Sequence, residues 1–449
     1  MENVRRKVFL LTFVCVLLYF LVSLTFEVLD LRDEPFSRIN LVSDIVKRKD
    51  SNSSEKKHLL TNKDISEDKG GSQRNFDFYK KPNLITNFNV DNEPSLPKFV
   101  EKLQQLKKGK NIKIRIAYLG DSMIEGDLIT HTLRELLQKE YGGQGVGFLP
   151  IFSNVGGFRQ TAKVSSNGWT TTNFMSKKAQ DLYLSGSKFT GSGSGTYTDN
   201  TIKGENIRVE KSIIYAEGVP EISVNDTPIE LNGDNKVNRQ VLLDDESKTI
   251  KIAGRGLKSP IFGISFESKK GVFVDNFSFR GITGVELKKL SEDFMKSIQQ
   301  ANKYDLIIVQ YGVNLLFRPK DTDYTYYYKS FEPTLQQMKS AFSGSEILII
   351  GSADRAFRYN GVNKTAIGLP YLIENQALIA YRNGFAFYNQ FETMGGENSI
   401  VKWAEQTPPM ANKDYIHPNH RGAEFLGRKL FDAIQKDYQQ ISKNTQKSK

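Results

Sequence analysis

The stretch Ile112-Lys113-Ile114-Arg115-Ile116-Ala117-Tyr118-Leu119-Gly120-Asp121-Ser122 decides the fold. Its alternating apolar side chains predict a β-strand from Ile112 to Leu119, which ends in a Gly-Asp-Ser turn. Residues 124–140 then show helical periodicity, and two glycines follow the predicted helix. A strand, a turn that carries a serine and a helix together present a nucleophile at the carboxyl edge of a parallel sheet in α/β enzymes.

A second segment with chemical character, Asp414-Tyr415-Ile416-His417-Pro418, lies near the other end of the chain. Together with Ser122 it supplies the serine, histidine and aspartate of nucleophilic acyl transfer. A free hydroxyl is a weak nucleophile, so Ser122 needs His417 as its base, and Asp414 would hold the imidazole in the right tautomer. If the two segments meet in space, the sequence predicts a serine hydrolase or an acyltransferase.

The tetrahedral intermediate of such a reaction needs hydrogen-bond donors for its oxyanion. The backbone N–H of Ser122 is one candidate. The turn Gly281-Ile282-Thr283-Gly284 and the segment Gly312-Val313-Asn314 are two more, and the second follows a continuous apolar strand predicted from Asp305 to Gln310. A glycine lets its backbone N–H approach a substrate closely, and Asn314 can offer a side-chain N–H.

The remaining pattern predicts one α/β domain that is interrupted by a β domain. Residues 94–155 and 273–440 alternate between helix and strand patterns, whereas residues 156–272 are rich in Gly, Ser, Thr and Asn and contain short strands between turn signals. We therefore predict a parallel sheet with helices on both faces and an inserted antiparallel sandwich, similar to a jelly roll. Residues 441–449 are predicted to be a frayed tail.

The N-terminal residues 1–30 are predicted to be a transmembrane signal anchor. Val8 to Phe26 is almost wholly apolar, and Arg5, Arg6 and Lys7 precede it. By the positive-inside rule, the N-terminus would be cytoplasmic and the rest of the protein extracytoplasmic, in the periplasm, held to the cell membrane by this helix. A cleaved signal peptide is the alternative. Residues 31–93 are polar and are predicted to be a flexible tether.

The composition and net charge indicate which classes of partner the protein can bind. The 449 residues carry a formal net charge of +11, which suits an anionic partner such as a cell-wall polymer, although the lysines can also simply be spread over solvated faces. We find no nucleic-acid motif and no spacing typical of a metal site, and we expect no cofactor. The single cysteine, Cys15, excludes an internal disulfide in the rest of the chain. The oligomeric state stays open.

These motifs, in this order, resemble those of the SGNH (GDSL-like) hydrolase superfamily. The resemblance covers roughly Lys98 to Gly156 and Asp275 to Asp437. It implies a three-layer α/β/α fold, with Ser122, Asp414 and His417 as catalytic residues and Ser122, Gly284 and Asn314 as oxyanion donors. The turn Phe279-Arg280-Gly281 lacks the usual Asn before its first glycine, so Gly281 is the alternative to Gly284.

Several details resemble the peptidoglycan O-acetylesterase branch of that superfamily. The sequence letters are GDSMIEGD at 120–127, GGxGxG at 142–147 and MGG at 394–396, with Trp403 ahead of the Asp-His segment. That branch carries a β domain, similar to a carbohydrate-binding module, in the interval equivalent to residues 156–272. Trp169, Tyr183 and Tyr197 of this interval could stack on sugars or fill its core.

The resemblance implies a serine esterase that removes O-acetyl groups from an acetylated cell-envelope glycan without a cofactor. Peptidoglycan is the expected glycan. An O-acetyltransferase of a cell-envelope polysaccharide uses the same acyl-enzyme and is an alternative. A lipase or thioesterase is a second alternative, and a non-catalytic glycan-binding protein is a third. The exact polymer and the position of the acetyl group stay open.

Overall fold

The computed structural model describes residues 2–28, 73–91, 93–154 and 156–447. The chain divides into two compact units, residues 1–61 and 62–449. In the first unit, helix α1 spans Glu2–Val28. All elements below belong to the second unit, in which a parallel sheet and an antiparallel sheet lie side by side.

Helix α1 changes the prediction for the N-terminus. Crossing a bilayer takes a helix of about 20 consecutive, predominantly apolar residues. Within the described ranges, no helix combines the necessary length and apolar character. The predicted transmembrane anchor at residues 1–30 is therefore wrong, and so is the periplasmic, membrane-held localisation that depended on it.

The parallel sheet has the order β1-β16-β13-β12-β2-β11. Its strands are β1 (Ile85–Thr86), β2 (Lys113–Gly120), β11 (Gly271–Ser278), β12 (Leu306–Gln310), β13 (Glu346–Ile350) and β16 (Ala386–Tyr388). All pairs are parallel except β1 with β16, which is antiparallel. The predicted strands at 112–119 and 305–310 are thus central strands of one sheet.

Helices cover both faces of this sheet. They are α2 (Pro97–Lys107), α3 (Thr130–Tyr141), α4 (Glu292–Asn302), α5 (Thr325–Ala341), α6 (Leu369–Asn383), α7 (Gln390–Met394), α8 (Ser399–Glu405) and α9 (His420–Lys447). Ile114, Ile116 and Tyr118 of β2 point to one face, where they share a core with residues of α2, α3 and α9. On the other face, α4, α5 and α6 pack in sequence. The mixed α/β architecture agrees with the predicted fold class.

The antiparallel sheet has eight strands, ordered β4-β5-β10-β6-β9; in addition, β3 and β7 pair with β10, and β8 pairs with β7. The strands are β3 (Gly147–Pro150), β4 (Ala162–Asn173), β5 (Ser187–Asp199), β6 (Val209–Tyr215), β7 (Glu221–Val224), β8 (Thr227–Glu230), β9 (Asn238–Asp245) and β10 (Thr249–Glu267). The long strand β10 pairs with β5 and β7 in its first half and with β6 and β3 in its second. Register shifts between these halves allow the sheet to bend around a core of its own.

Small elements complete the structure. Short 3₁₀ helices lie at Phe76–Lys80, Glu125–Asp127, Gly156–Phe158 and Val285–Lys289, and a two-stranded hairpin is formed by β14 (Ala356–Tyr359) and β15 (Val362–Thr365). Helix α9 continues to Lys447, beyond the start of the tail predicted at residue 441.

Regular structure also starts earlier than residue 94, because part of the predicted tether packs on the parallel sheet. Strand β1 pairs with β16, and the rings of Phe76 and Phe88 lie 5.4 and 5.2 Å from that of Tyr381. The side chain of Asn389 donates a hydrogen bond to the Tyr79 carbonyl at 2.8 Å. The rest of the predicted tether, residues 31–72, lies outside the described residues.

Candidate active site

Sheet topology places Ser122 at a switch point. Strand β2 pairs with β11 on one side and with β12 on the other, so the order of the strands reverses at β2. Gly120, the last residue of β2, is in register with Ser278 and with Gln310. Open α/β sheets bind ligands at the carboxyl ends of the strands where the strand order reverses. Ser122, two residues after Gly120, lies at this position.

The turn that carries Ser122 is held by hydrogen bonds within the turn itself. The N–H of Met123 donates to Asp121 Oδ1 at 2.9 Å, and the N–H of Glu125 donates to the Ser122 carbonyl at 3.3 Å. Asp121 is fully buried, whereas Ser122 stays half-buried. The serine hydroxyl is therefore presented at the surface of a turn whose framework is fixed.

The structure brings together the three residues predicted to be catalytic. Ser122 Oγ lies 2.8 Å from His417 Nε2, and His417 Nδ1 lies 2.7 Å from Asp414 Oδ2. Both distances are those of hydrogen bonds, and both ring nitrogens of His417 are engaged. With the Nδ1 proton directed at Asp414, Nε2 is left to accept the proton of the serine hydroxyl. The chain separates Ser122 from His417 by 295 positions, so only the fold creates this contact.

Asp414 is organised as an acceptor. Its Oδ1 accepts the backbone N–H groups of Ile416 and His417 at 3.0 and 3.1 Å. Burial acts to raise the pKa of Asp414, but the hydrogen bonds from His417 and from these two N–H groups outweigh it and hold the pKa below its ordinary value. Asp414 is thus an ionised carboxylate that can orient and stabilise an imidazolium.

Asn314, a predicted oxyanion donor, lies close to this arrangement. Its amide nitrogen donates to Asp121 Oδ2 at 3.1 Å and to the carbonyl of Ile282 at 2.9 Å. Both N–H bonds of the amide are therefore directed at protein acceptors in this conformation. Its position next to the nucleophile turn fits the predicted role, but a bound oxyanion would have to replace one of these partners.

Burial raises the pKa of Asp121 to about 7, although the Met123 N–H, the charge of His417 and the amide of Asn314 all act to lower it. Asp121 is thus a titratable group directly beside the nucleophile.

The two alternative oxyanion glycines differ in their surroundings. Gly284 has a φ of 92°, and a Cβ there would lie 2.7 Å from Tyr311 and 2.8 Å from Phe331. Gly281 also has a positive φ, of 78°, but a Cβ there would meet nothing within 4 Å. Packing therefore demands a glycine at 284. The hydrogen bond from Asn314 to Ile282 places the turn that contains both glycines next to Asn314.

Asp127 ties the nucleophile turn to the antiparallel sheet. This buried carboxylate accepts two hydrogen bonds from Arg134, at 2.7 and 2.8 Å, and one each from Thr130 and Thr161, both at 2.6 Å. Against the effect of burial, the charges of Arg134 and Arg159 hold the pKa of Asp127 well below its ordinary value. Thr161 directly precedes β4, so a buried ionic cluster connects the two sheets.

Sequence reasoning missed Arg355. Its Nη1 donates to the carbonyl of Val313 at 2.6 Å, and its guanidinium interacts electrostatically with Asp414. The N–H of the next residue, Ala356, donates to the Tyr415 carbonyl at 3.0 Å. Arg355 thus links the Asn314 segment to the Asp414–His417 turn. The available signal was a charged pair, Asp354-Arg355, shortly after the buried strand β13.

Two of the aromatic residues considered for sugar stacking belong to the core. Tyr183 and Tyr197 have no exposed surface, while Trp169 is half-buried against the core of the antiparallel sheet. Within the part of the chain that the structure describes, no three His, Cys, Asp or Glu side chains are grouped to hold a metal ion.

Comparison with solved structures identifies the fold. A peptidoglycan O-acetylesterase matches this chain with a TM-score of 0.66 and 24% sequence identity, over 79% of this chain and 99% of that one. The predicted resemblance to a peptidoglycan O-acetylesterase is confirmed for the fold.

Other matches are more distant. An acetyl xylan esterase matches with a TM-score of 0.28 at 14% identity, over 37% of this chain and 81% of its own. A lipase/acylhydrolase from Enterococcus faecalis matches with a TM-score of 0.26 at 17% identity, over 37% and 76%. No family model matches the sequence, and no curated protein matches it either.

Proposed function

We propose that this protein is a serine esterase that removes O-acetyl groups from a cell-envelope glycan, and that the glycan is peptidoglycan. The single observation that carries the proposal is the continuous hydrogen-bond chain from Ser122 through His417 to Asp414. The likeness in fold to a peptidoglycan O-acetylesterase supports the choice of substrate.

The geometry supports a two-step reaction. Ser122 Oγ attacks the acetyl carbonyl while His417 Nε2, at 2.8 Å, takes its proton. His417 then donates that proton to the sugar oxygen as the carbon–oxygen bond breaks, which leaves an acetyl-enzyme. Water, deprotonated by the same nitrogen, attacks the acetyl-enzyme and releases acetate, and Ser122 regains its proton.

Three groups are proposed to stabilise the oxyanion: the backbone N–H groups of Ser122 and Gly284 and the side chain of Asn314. For Asn314 the role requires that its amide exchange one present acceptor for the oxyanion. Because Asp121 Oδ2 is one of these acceptors and Asp121 titrates near neutrality, its protonation would weaken its hold on the amide.

The experiment is a measurement of acetate release from O-acetylated peptidoglycan and from acetylated xylan, beside Ser122→Ala. Release from peptidoglycan that disappears in the variant supports both the site and the substrate. Cleavage of simple aryl acetates but of neither polymer would retain the serine chemistry and reject peptidoglycan. Activity that survives in Ser122→Ala would reject the proposed nucleophile.

A further inference from the structure

The backbone between the nucleophile turn and helix α3 has an unfavourable conformation. Ile129 has a φ of 62° and a ψ of −55°, and the N–H of Thr130 donates to the Leu128 carbonyl at 2.6 Å. These three residues form a γ-turn with positive φ at its centre, which is rare and strained for a β-branched residue. Such conformations persist only where their surroundings fix them. The contacts around this γ-turn therefore determine how the chain leaves the nucleophile turn.

The carboxylate of Asp127 fixes the γ-turn. It lies two residues before Ile129, and its Oδ1 accepts the hydroxyl of Thr130, one residue after Ile129, at 2.6 Å. Both Asp127 and Thr130 are buried. The guanidinium of Arg134, which donates to both oxygens of this carboxylate, also donates to the Val274 carbonyl of β11. The γ-turn is thereby tied to the parallel sheet.

Asn276 connects the same cluster to the nucleophile turn. Its side-chain nitrogen donates to the Ile124 carbonyl at 2.7 Å and to the Thr130 hydroxyl oxygen at 2.8 Å. Ile124 comes two residues after Ser122, and Asn276 is buried on strand β11. A path of hydrogen bonds therefore runs from the turn that presents Ser122, through Asn276 and Thr130, to Asp127.

The segment that enters the antiparallel sheet supplies two further partners of Asp127. The Thr161 hydroxyl donates to Asp127 Oδ2 at 2.6 Å and accepts from Arg159 Nε at 3.0 Å. Arg159 also forms an ion pair with Asp127 at 3.4 Å. Thr161 is fixed to the sheet because its carbonyl accepts the N–H of Asn200, the residue after β5, at 2.9 Å. The antiparallel sheet thus contacts the γ-turn through one shared carboxylate.

We infer that Thr161 and Asp127 are positioning residues for the esterase reaction, through which the antiparallel sheet fixes the γ-turn and thereby the place of Ser122 relative to His417. The inference rests on the proposed function, since it concerns the rate at which Ser122 attacks an ester. Ser122 Oγ lies 2.8 Å from His417 Nε2, and a misplacement of about 1 Å can lower a rate by about 100-fold. Both residues act through the backbone rather than by contact with the ester.

The test compares Thr161→Val with Thr161→Ser. Valine has nearly the shape of threonine but no hydroxyl, whereas serine keeps the hydroxyl that donates to Asp127. The full-length variants are assayed for kcat and KM on an aryl acetate and for the rate at which a fluorophosphonate ester labels Ser122. We expect Thr161→Val to lower kcat and the labelling rate by about 10- to 100-fold with KM unchanged, and Thr161→Ser to retain most of both rates.

Thr393→Val is the matched control. Thr393 is also a buried threonine whose hydroxyl both donates and accepts: it donates to the Asn389 carbonyl at 2.9 Å and accepts the Asn83 N–H at 3.2 Å. Neither of these partners belongs to the nucleophile turn. We expect Thr393→Val to lower Tm, as Thr161→Val does, but to keep kcat and the labelling rate. A purely structural role of Thr161 would make the two variants alike in both rates.

Equal rates in Thr161→Val and the unmodified protein, equal losses in Thr161→Val and Thr393→Val, or a Thr161→Ser as slow as Thr161→Val would each overturn the inference. If Thr161→Val does not fold, Arg159→Gln takes its place. That change removes the ion pair with Asp127 and leaves the Thr161 hydrogen bond, so we expect a smaller loss of kcat, and an unchanged kcat would overturn the inference.

The failure of this inference differs from the failure of the proposed function. Labelling of Ser122 in the unmodified protein, with acetate release, tests the proposed nucleophile itself. The Thr161 variants test only its positioning. An unmodified protein that is labelled and active beside a Thr161→Val that is equally fast would reject the positioning role and leave the proposed function intact.

Discussion

The side chain of Asn314 donates a hydrogen bond to Asp121 Oδ2 at 3.1 Å. The predicted oxyanion asparagine is thus held by the residue that directly precedes the nucleophile, on the turn between β2 and α3. Since the same amide also donates to the Ile282 carbonyl at 2.9 Å, one side chain joins three segments at the carboxyl edge of the sheet. The roles of Asn314 and Asp121 can be separated by experiment.

Replacing Asn314 by Ala should lower kcat by about 10²- to 10³-fold with little change in KM, because an oxyanion donor acts mainly in the transition state. The measurement is steady-state kinetics on an aryl acetate. Asn375→Ala is the matched control, since Asn375 on α6 also donates its amide to a carbonyl, that of Tyr371. If the two variants lose kcat to the same extent, Asn314 has only a structural role.

Asp121→Asn should change how stability depends on pH. The folded protein holds the Asp121 proton up to about pH 7, whereas the unfolded chain releases it near 3.8. The folded pKa is raised, so this contribution to stability is fully present below the unfolded pKa and is lost as the pH rises through the folded pKa.

The variant Asp121→Asn has no proton to release at this position. Its Tm should therefore fall less between about pH 5 and about pH 8 than the Tm of the unmodified protein. The check is thermal melting at both pH values in matched buffers. An unchanged pH dependence of Tm would mean that Asp121 does not hold its proton in the folded state.

The two candidate glycines should differ in stability when each is replaced by Ala. Both have a positive φ, which costs a non-glycine residue roughly 1–2 kcal/mol. At Gly284 the new Cβ would also overlap Tyr311 and Phe331, and overpacking adds about 1–3 kcal/mol. Denaturant unfolding should therefore show the larger loss for Gly284→Ala. An equal loss at both positions would show that the packing around Gly284 yields easily.

Removing the carboxylate of Asp127 should be strongly destabilising. Asp127→Ala leaves the buried guanidinium of Arg134 without its partner, which typically costs about 3–5 kcal/mol. Thr161→Val removes one hydrogen bond to the same carboxylate and the acceptor of Arg159 Nε, and should cost about 2 kcal/mol. Chemical denaturation of both variants tests this ranking, and similar losses for the two would contradict the assignment of Asp127 as the centre of the cluster.

Much of the parallel sheet could be predicted because its strands carry strong local patterns. The alternation in β2 and the continuous apolar run of β12 identify central strands without further information. Strand β1 could not be predicted, since its two residues, Ile85–Thr86, have no measurable period and are held by pairing with β16. The membrane prediction was wrong, since among the described residues no helix is long and apolar enough to cross a membrane.

The candidate site also contains residues that could be predicted from the sequence and residues that could not. Ser122, Asp414 and His417 occur in short motifs at element ends, which made them candidates, whereas their meeting in space was only a condition of the prediction. Arg355 and Arg159 occur in no motif. Arg355 is significant because it donates to the Val313 carbonyl at 2.6 Å, and Arg159 because it forms an ion pair with Asp127 at 3.4 Å. Such contacts arise only when distant segments fold together.

The most direct test of the central claim, that Ser122 is an activated nucleophile, is covalent labelling with a fluorophosphonate ester followed by peptide mass mapping. Such reagents form a stable adduct only with a serine whose hydroxyl is activated by a base. We predict a single adduct, on the peptide that contains Ser122, that is absent in Ser122→Ala and formed much more slowly in His417→Ala. An adduct on a different serine, or labelling at an unchanged rate in His417→Ala, would contradict the account.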